Sequence, residues 1–411
     1  GHNASQLTAE GGTVTMQTGG SIVIQPGSTV DVSGGYYRNE GGRIQTTRLL
    51  RKGNLVNIAA AKPDVTYDGI YDGRTTKTSS KWGVTKTYGN ALAPLGGRTE
   101  KEYIQGANGG SVNLTSPSIV VGGDLVGQTI TGPKQLDSPA EMSSLSFLFQ
   151  AEARYDATSS DIRYYKTSPA PPQIHVTAES PRASGVLITD GKSLPESMTS
   201  QFSASTSWWK EGGFGHVLVD NRAGEFVLPS GVDVAIPAGG SLAARASNIT
   251  VEGSITAPGG SIELTAYNYS PYAYQKLEKT DQLLNEPALD PVPGKGMITL
   301  GSSARLDVSG LLVDDRPTSK NVVTTRRVLD GGSVSLEGYS IHLAEGSRIH
   351  ASGGALAKAI KGFEYGDGGK ISILAGRDPD LSTITGGTLS LKGSLAAYSA
   401  NKGGSLSIRA N

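Results

Sequence analysis

Apolar and polar residues alternate in short runs along much of the chain, and glycine pairs separate groups of these runs. In the segment 331–354, GGSVSLEGYSIHLAEGSRIHASGG, three such runs stand between two glycine pairs. A period of two places successive side chains on opposite faces of a β-strand. The segment therefore predicts three short strands, with His342 and His350 facing outward. The predicted inward side chains are Val334, Leu336, Ile341, Leu343, Ile349 and Ala351.

Similar phrases recur elsewhere in the chain. Examples are GGSIVIQPGSTVDVSGG at 19–35, GGSVNLTSPSIVVGGDLVG at 109–127 and GGSLAARASNITVEGSITAPGG at 239–260. Hairpin folds place tight turns between individual strands, whereas these glycine pairs recur once per three strands. Stacked triplets would bury a continuous apolar column that no single triplet buries alone. We therefore predict an all-β fold: a right-handed single-stranded parallel β-helix with loop insertions and one or two short helices.

Four stretches interrupt the alternation and give a provisional division of the chain. We expect β-helix coils at 1–44, 107–132, 216–266, 294–310 and 329–411. The predicted interruptions are an irregular insertion at 45–106, a large insertion at 133–215, a Tyr-rich loop at 267–293 and a charged loop at 311–328. Since the final phrase, GGSLSIRAN, stops within a repeat, the last coils are expected to continue beyond the fragment and to expose an open strand edge.

The large insertion opens with a helix-start signature. Ser138, Pro139 and Glu141 suit the N-cap, first-turn and capping-box positions. Apolar residues then follow at helical spacing. This pattern predicts a helix near 139–154, and a weaker pattern predicts a second, short helix near 280–286.

Composition narrows the function classes. The chain has 411 residues, 56 of them glycine, and no cysteine, which excludes disulfides and Cys-based metal sites or nucleophiles. Lysine and arginine together number 37, as do aspartate and glutamate, so no overall field attracts nucleic acid, and we expect no nucleic-acid partner. The five histidines are not paired at metal-ligand spacing. We predict neither a metal nor a cofactor.

Catalysis has little support in the pattern of acidic residues. The densest group, Asp64, Asp68 and Asp72, lies in an irregular, glycine-containing stretch where aspartate is expected in turns. A glycosidase would need two carboxylates held about 5–10 Å apart. We therefore predict a protein that is not an enzyme, with a polysaccharide-active β-helix enzyme as the alternative.

Aromatic residues in the interruptions are the candidate contact residues. Insertions in repeat proteins often form the binding face. Their aromatic rings would stack on sugars or on a partner protein, or would instead pack the insertions against the coils. The candidates are Trp208, Trp209, Tyr267, Tyr269, Tyr272 and Tyr274.

The phrase GGSVNLTSPSIVVGGDLVGQTITGPKQ, the GGSLSI-type coils and KWGVTKTYGNALAPLGGRTEKEYIQGANGGSVNL resemble the filamentous haemagglutinin family of large exoproteins. The resemblance covers most of the chain, although the Asn-Pro-Asn motifs of that family's secretion domain are absent. It implies a fibrous, adhesin-like β-helix that is secreted or held at the bacterial cell surface. Export would proceed through an outer-membrane transporter by two-partner secretion.

The resemblance implies a role in cell adhesion or biofilm contact. The partners would be glycans or proteins of a host cell, another bacterium or the matrix. Some relatives instead serve haem acquisition or contact-dependent inhibition. A further alternative is an extracellular polymerising fibre subunit that self-associates through its open β-helix ends. No catalytic or binding residue is carried over from the family.

Overall fold

The computed structural model describes most of the chain. The described residues are 8–45, 47–71, 73–89, 97–136, 138–149, 154–155, 162–163, 172–178, 194–269, 290–316, 327–358 and 362–410. The predicted helix near 280–286 and the candidates Tyr272 and Tyr274 lie outside these residues.

The regular secondary structure of the described chain is almost entirely β-strand, as the alternating pattern predicts. The strands from the first half are β1 (Thr13–Gln17), β2 (Ser21–Ile24), β3 (Thr29–Asp31), β4 (Tyr36–Asn39), β5 (Gly42–Gln45), β6 (Arg48–Arg51), β7 (Asn54–Asn57), β8 (Gly69–Ile70), β9 (Arg74–Ser79), β10 (Val84–Gly89), β11 (Gly97–Glu100), β12 (Tyr103–Gly106), β13 (Ser111–Thr115), β14 (Ser118–Val121), β15 (Asp124–Val126), β16 (Ser144–Leu148), β17 (Arg154–Tyr155), β18 (Ile162–Arg163), β19 (Gln173–Thr177) and β20 (Gln201–Ser205).

The strands of the second half are β21 (His216–Leu228), β22 (Asp233–Ala235), β23 (Ser241–Val251), β24 (Ser254–Thr256), β25 (Ser261–Ala266), β26 (Met297–Leu300), β27 (Arg305–Asp307), β28 (Leu312–Asp314), β29 (Ser333–Gly338), β30 (Ser340–Leu343), β31 (Arg348–His350), β32 (Ala355–Ala357), β33 (Phe363–Tyr365), β34 (Lys370–Ala375), β35 (Leu389–Leu391), β36 (Ser394–Ala396) and β37 (Ser405–Ala410). Among the described residues, the α-helices are α1 (Glu196–Thr199) and α2 (Ser207–Lys210), and Ile58–Ala60 form a 3-10 helix.

The chain forms two compact units. The larger comprises 1–36 and 106–411, and the smaller comprises 37–105. Within the larger unit, nine parallel strands form one ladder in the order β1-β13-β16-β21-β23-β25-β29-β34-β37. Two further series of parallel pairs run beside it, β23-β26-β30-β35 and β22-β24-β27-β31-β36.

Stacking in register produces the apolar core. In the nine-stranded ladder, Leu242 opposes Ile262, which opposes Val334, which in turn opposes Ile371. Each of these side chains is at most 1% exposed. All six inward residues predicted for the segment 331–354 are buried, and His342 and His350 occupy the alternate, half-exposed positions. The sequence prediction of strand faces is confirmed for this segment.

A glycine stands directly before most strands of the nine-stranded ladder, and these glycines stack on one another. An added Cβ on Gly260 would lie 1.9 Å from the carbonyl oxygen of Gly240, and one on Gly332 would lie 1.9 Å from that of Gly260. The same carbonyl of Gly260 accepts a hydrogen bond from the N–H of Ser333 at 2.9 Å. Neither Gly260 nor Gly332 has a positive φ. Glycine is therefore required here because the backbones of successive strands approach closely. It is not required by the left-handed conformation that tight turns usually demand.

The predicted helix near 139–154 is wrong over its described part. Residues 144–148 form β16, which pairs in parallel with β13 and β21. Leu145, Phe147 and Phe149 are all buried, so the inward period is two residues rather than three or four. The capping signature fails because in-register pairing between two neighbouring strands outweighs a local preference.

The range 133–215, predicted as one large insertion, also contributes to the stack. Besides β16, it supplies β19 and β20, which pair in parallel with each other, and β19 pairs with β21. Residues Ile174, Val176, Phe202 and Ala204 of these strands are buried. This part of the chain is therefore built into the core.

The described part of the smaller unit contains several antiparallel strand pairs. Strand β6 pairs with both β7 and β8, and β5 pairs with β11. Strands β9 and β10 form a separate two-stranded hairpin whose described side chains are all exposed. Within this unit, Asp68 accepts a hydrogen bond from the backbone N–H of Lys52, so this aspartate joins two segments of the unit rather than closing a local turn.

Candidate functional site

The tryptophan pair lies in the core of the larger unit. Trp208 and Trp209, on α2, are 3% and 2% exposed. The Trp208 ring stacks on Phe147 with centroids 4.7 Å apart, and Phe202 packs against Phe147 at 5.1 Å. This burial favours the packing alternative, because neither indole presents a face to a ligand.

The two described candidate tyrosines differ in exposure. Tyr267 is buried, whereas Tyr269 is partly exposed and its hydroxyl donates to the carbonyl oxygen of Asp290. The guanidinium carbon of Arg222 lies 4.7 Å from the centroid of the Tyr267 ring, which is a cation–π contact. Arg222 comes from the irregular stretch within β21 where the register to β23 shifts. A β-bulge redirects a side chain in this way.

Two carboxylates share the Arg222 guanidinium. Its Nη1 lies 2.7 Å from Oδ2 of Asp380, and its Nε lies 3.4 Å from Oδ1 of Asp220. Arg245, in register with Asp220 on the next strand, is 3.4 Å from Oδ2 of the same carboxylate. We call Asp220, Arg222, Arg245, Tyr267 and Asp380 the ion cluster.

A buried aspartate holds the segment that delivers Asp380. Asp378 is fully buried, and its Oδ2 accepts the backbone N–H groups of Asn268 and Tyr269 at 2.6 and 3.1 Å. Its Oδ1 accepts those of Asp380 and Leu381, both at 2.9 Å. Four donors satisfy this carboxylate, so Asp378 fastens the segment to the start of the Tyr-rich stretch.

Burial raises the pKa of two acidic groups of the ion cluster, Tyr267 and Asp380. It raises the pKa of Tyr267 to about 12, because an ionised phenolate would be poorly solvated beside the stack. Burial also raises the pKa of Asp380, against the opposing effect of Arg222. The neighbouring Glu337 likewise has a raised pKa because of burial.

The ion cluster is the densest grouping of charged side chains that we find in the described larger unit. A glycosidase pair leaves an open space between its two carboxylates for the sugar and, in inverting enzymes, for water. Here the Arg222 guanidinium contacts both carboxylates. The arrangement fastens the 376–386 segment and presents a mixed-charge surface on which Asp380 is the most exposed carboxylate.

Other candidate chemistry is sparse in the described residues. They contain no group of three or more His, Asp or Glu side chains placed to hold a metal ion. Among them, no helix has the length and apolar character needed to cross a membrane. His342 Nε2 lies 3.4 Å from the Thr388 hydroxyl, within a polar row on the strand surface.

The sequence singled out Tyr267 but missed Arg222, Asp220 and Asp380. Asp220 and Arg222 are two residues apart in β21, but Asp380 comes from a distant part of the chain, and no spacing rule connects it to them. The only usable signal is Arg222 within NRAGE, where a glycine interrupts an alternating run and indicates a bulge.

Comparisons with family models, with curated proteins and with solved structures give no match to this chain. The functional interpretation therefore depends on the features described above.

Proposed function

We propose that the larger unit is a right-handed single-stranded parallel β-helix, and that the protein is a non-enzymatic adhesive segment of a large exoprotein. The exoprotein is secreted or held at the bacterial surface after export through an outer-membrane two-partner-secretion transporter. The observation that carries the proposal is the nine-stranded parallel ladder, whose in-register apolar columns are continuous from β1 to β37. Such a stack makes a rigid shaft for displaying the segments that interrupt it.

Adhesion is tested with beads that carry the 411-residue chain. We expect them to adhere to immobilised matrix glycans or to cell layers more strongly than beads carrying albumin at equal density. The matched variant replaces the hairpin residues 73–89 with a Gly-Ser linker of equal length, because this exposed element buries no described side chain. Equal retention of wild-type and albumin beads on every surface would contradict the adhesive proposal.

Self-association through an open strand edge is part of the proposal. Strand β37 pairs only with β34 among the described strands. Leu406 and Ile408 continue the buried columns of Ile371 and Ile373 but are 54% and 41% exposed. Leu406→Lys should weaken any concentration-dependent association seen by sedimentation velocity. A wild-type chain that sediments as one species at every concentration would remove this part.

A polysaccharide-active enzyme is the alternative, favoured by the meeting of Asp220 and Asp380 at Arg222. Incubation with linear polysaccharides tests this function through the release of new reducing ends. Activity that Asp380→Asn abolishes, while Lys392→Gln leaves it unchanged, would replace the adhesive proposal.

A further inference from the structure

The hairpin of β9 and β10 is the most one-sided charged surface in the described smaller unit. We call residues 73–89 the basic ribbon. This stretch, GRTTKTSSKWGVTKTYG, contains one arginine and three lysines and no acidic residue, within a chain whose formal net charge is zero. The described side chains of the ribbon in β9 and β10, and those of its turn, are exposed.

Two lysines oppose each other across the ribbon. Lys77 on β9 is the direct register partner of Lys86 on β10. Like charges placed directly opposite on neighbouring strands are destabilising, and an isolated two-stranded hairpin is only marginally stable in water. Neither lysine has an acidic partner among the described residues. An anion bound between the two ammonium groups would relieve this repulsion.

The two faces of the ribbon differ. On one face, the hydroxyls of Thr76 and Thr87 lie 3.0 Å apart, and those of Thr78 and Thr85 also lie 3.0 Å apart. The lysine pair shares the opposite face with Tyr88, which is 56% exposed. The ribbon thus combines charge, a row of hydroxyls and an aromatic ring.

The turn adds a second aromatic ring. Trp82 is 74% exposed, and the ammonium of Lys81 lies 5.7 Å from its ring centroid. An exposed indole offers an apolar face to the C–H groups of a pyranose ring, while ammonium groups bind its acidic substituents. A single tryptophan between Lys81 and Gly83 is a small apolar surface for insertion into a lipid bilayer.

We propose that the basic ribbon binds an acidic polysaccharide, with Lys77 and Lys86 contacting its carboxylate or sulfate groups and Trp82 stacking on a sugar ring. This site deepens the adhesive function proposed above by naming the class of glycan. Charge complementarity selects the ligand class, and the exposed Trp82 ring favours a saccharide over a lipid headgroup or a nucleic acid.

Binding of the 411-residue chain to polygalacturonate, a linear polyuronate, tests the proposal. We expect affinity to fall about tenfold in the Lys77→Gln/Lys86→Gln double variant, since two exposed charge contacts are lost. The affinity of Trp82→Ala should fall by a similar factor. The affinity of the wild-type protein should weaken as the salt concentration is raised. The control, Lys392→Gln/Lys402→Gln, removes two exposed lysines from the larger unit and should bind as the wild type does.

Circular dichroism of both double variants checks folding, and removing the lysine repulsion should not unfold the ribbon. Equal losses in the two double variants, equal binding to neutral dextran, or stronger binding to anionic vesicles or duplex DNA would overturn the proposal. If beads adhere to cells while the ribbon variants bind polygalacturonate as the wild type does, the ribbon site fails and adhesion stands. If polygalacturonate binds as predicted but no surface retains the beads, the site stands and adhesion fails.

Discussion

At the scale of single residues, close backbone approach constrains Gly332, and burial raises the pKa of Tyr267. Tight turns often use glycine because they need a positive φ. In the structure, Gly332 instead lies where any Cβ would meet the carbonyl oxygen of Gly260. The alternation of side chains is visible in sequence, but this constraint arises only when two distant strands stack.

Gly332→Ala should therefore lower the free energy of unfolding. The added methyl group would lie 1.9 Å from the Gly260 oxygen, and relieving such overpacking costs roughly 1–3 kcal/mol. Urea unfolding followed by circular dichroism measures the change. Gly403→Ala is the control, because its Cβ would meet nothing within 4 Å. Equal stabilities of the two variants would show that the glycine column is not tightly stacked.

Tyr267 gives a prediction about alkaline pH. Its pKa in the folded protein is about 12, above the ordinary value of 10.0. Between these two values the unfolded chain loses the phenolic proton while the folded chain keeps it. This tyrosine therefore contributes stability that is complete below about pH 10 and is lost as the pH rises towards 12.

Spectrophotometric titration of phenolate absorbance checks this prediction. The wild type should show one more late-titrating tyrosine than Tyr267→Phe, which keeps the ring beside Arg222 but removes the hydroxyl. Stability should also fall less steeply between pH 10 and 12 in the variant. If the tyrosine lost in Tyr267→Phe is one that titrates near pH 10, the buried position of this phenol is contradicted.

At the scale of elements, sequence reasoning succeeds where one local pattern is enough. The strands around Val334, Ile341 and Ile349 and their inward faces follow from period-two alternation alone. It fails where a distant partner decides the outcome. The 139–154 segment has a capping signature, yet β13 and β21 recruit its SLSFL run into the ladder.

The candidate site was less predictable than the fold. Tryptophans in an interruption left both a contact surface and internal packing open, and Trp208 and Trp209 pack in an aromatic cluster with Phe147 and Phe202. Sequence does not distinguish a buried indole from an exposed one when neighbouring strands decide the packing. Arg222 and Asp380 meet only because the 376–386 segment folds back along the stack.

A buried and an exposed tryptophan should respond differently to replacement by alanine, with a large loss of stability for Trp208 and a small change for Trp82. Trp208→Ala should cost roughly 3–5 kcal/mol of unfolding free energy, because it leaves a cavity among the aromatic rings. Trp82→Ala should change stability by less than about 0.5 kcal/mol, since that ring is exposed. Chemical denaturation of both variants provides the comparison. A small loss in Trp208→Ala would indicate that the α2 aromatic cluster does not form.

At the scale of the whole molecule, strands that are far apart in sequence are neighbours in one parallel stack. Ser261 opposes Ser333 directly, whereas β34 lies between Ser333 and Ser405. Ser261 and Ser333 are as far apart along the chain as Ser333 and Ser405. The stack therefore predicts spacings that sequence separation does not.

Pulsed electron–electron double resonance between two spin labels measures these spacings directly. Because the sequence contains no cysteine, spin labels attach only to the cysteines that are introduced. With one label at Ser111→Cys, the second is placed in turn at Ser261→Cys, Ser333→Cys and Ser405→Cys. At about 4.8 Å per strand, the backbone separations should be about 19, 24 and 34 Å. The second increment should thus be twice the first. Equal increments, or broad distributions without a preferred distance, would contradict the parallel stack and with it the proposed shaft.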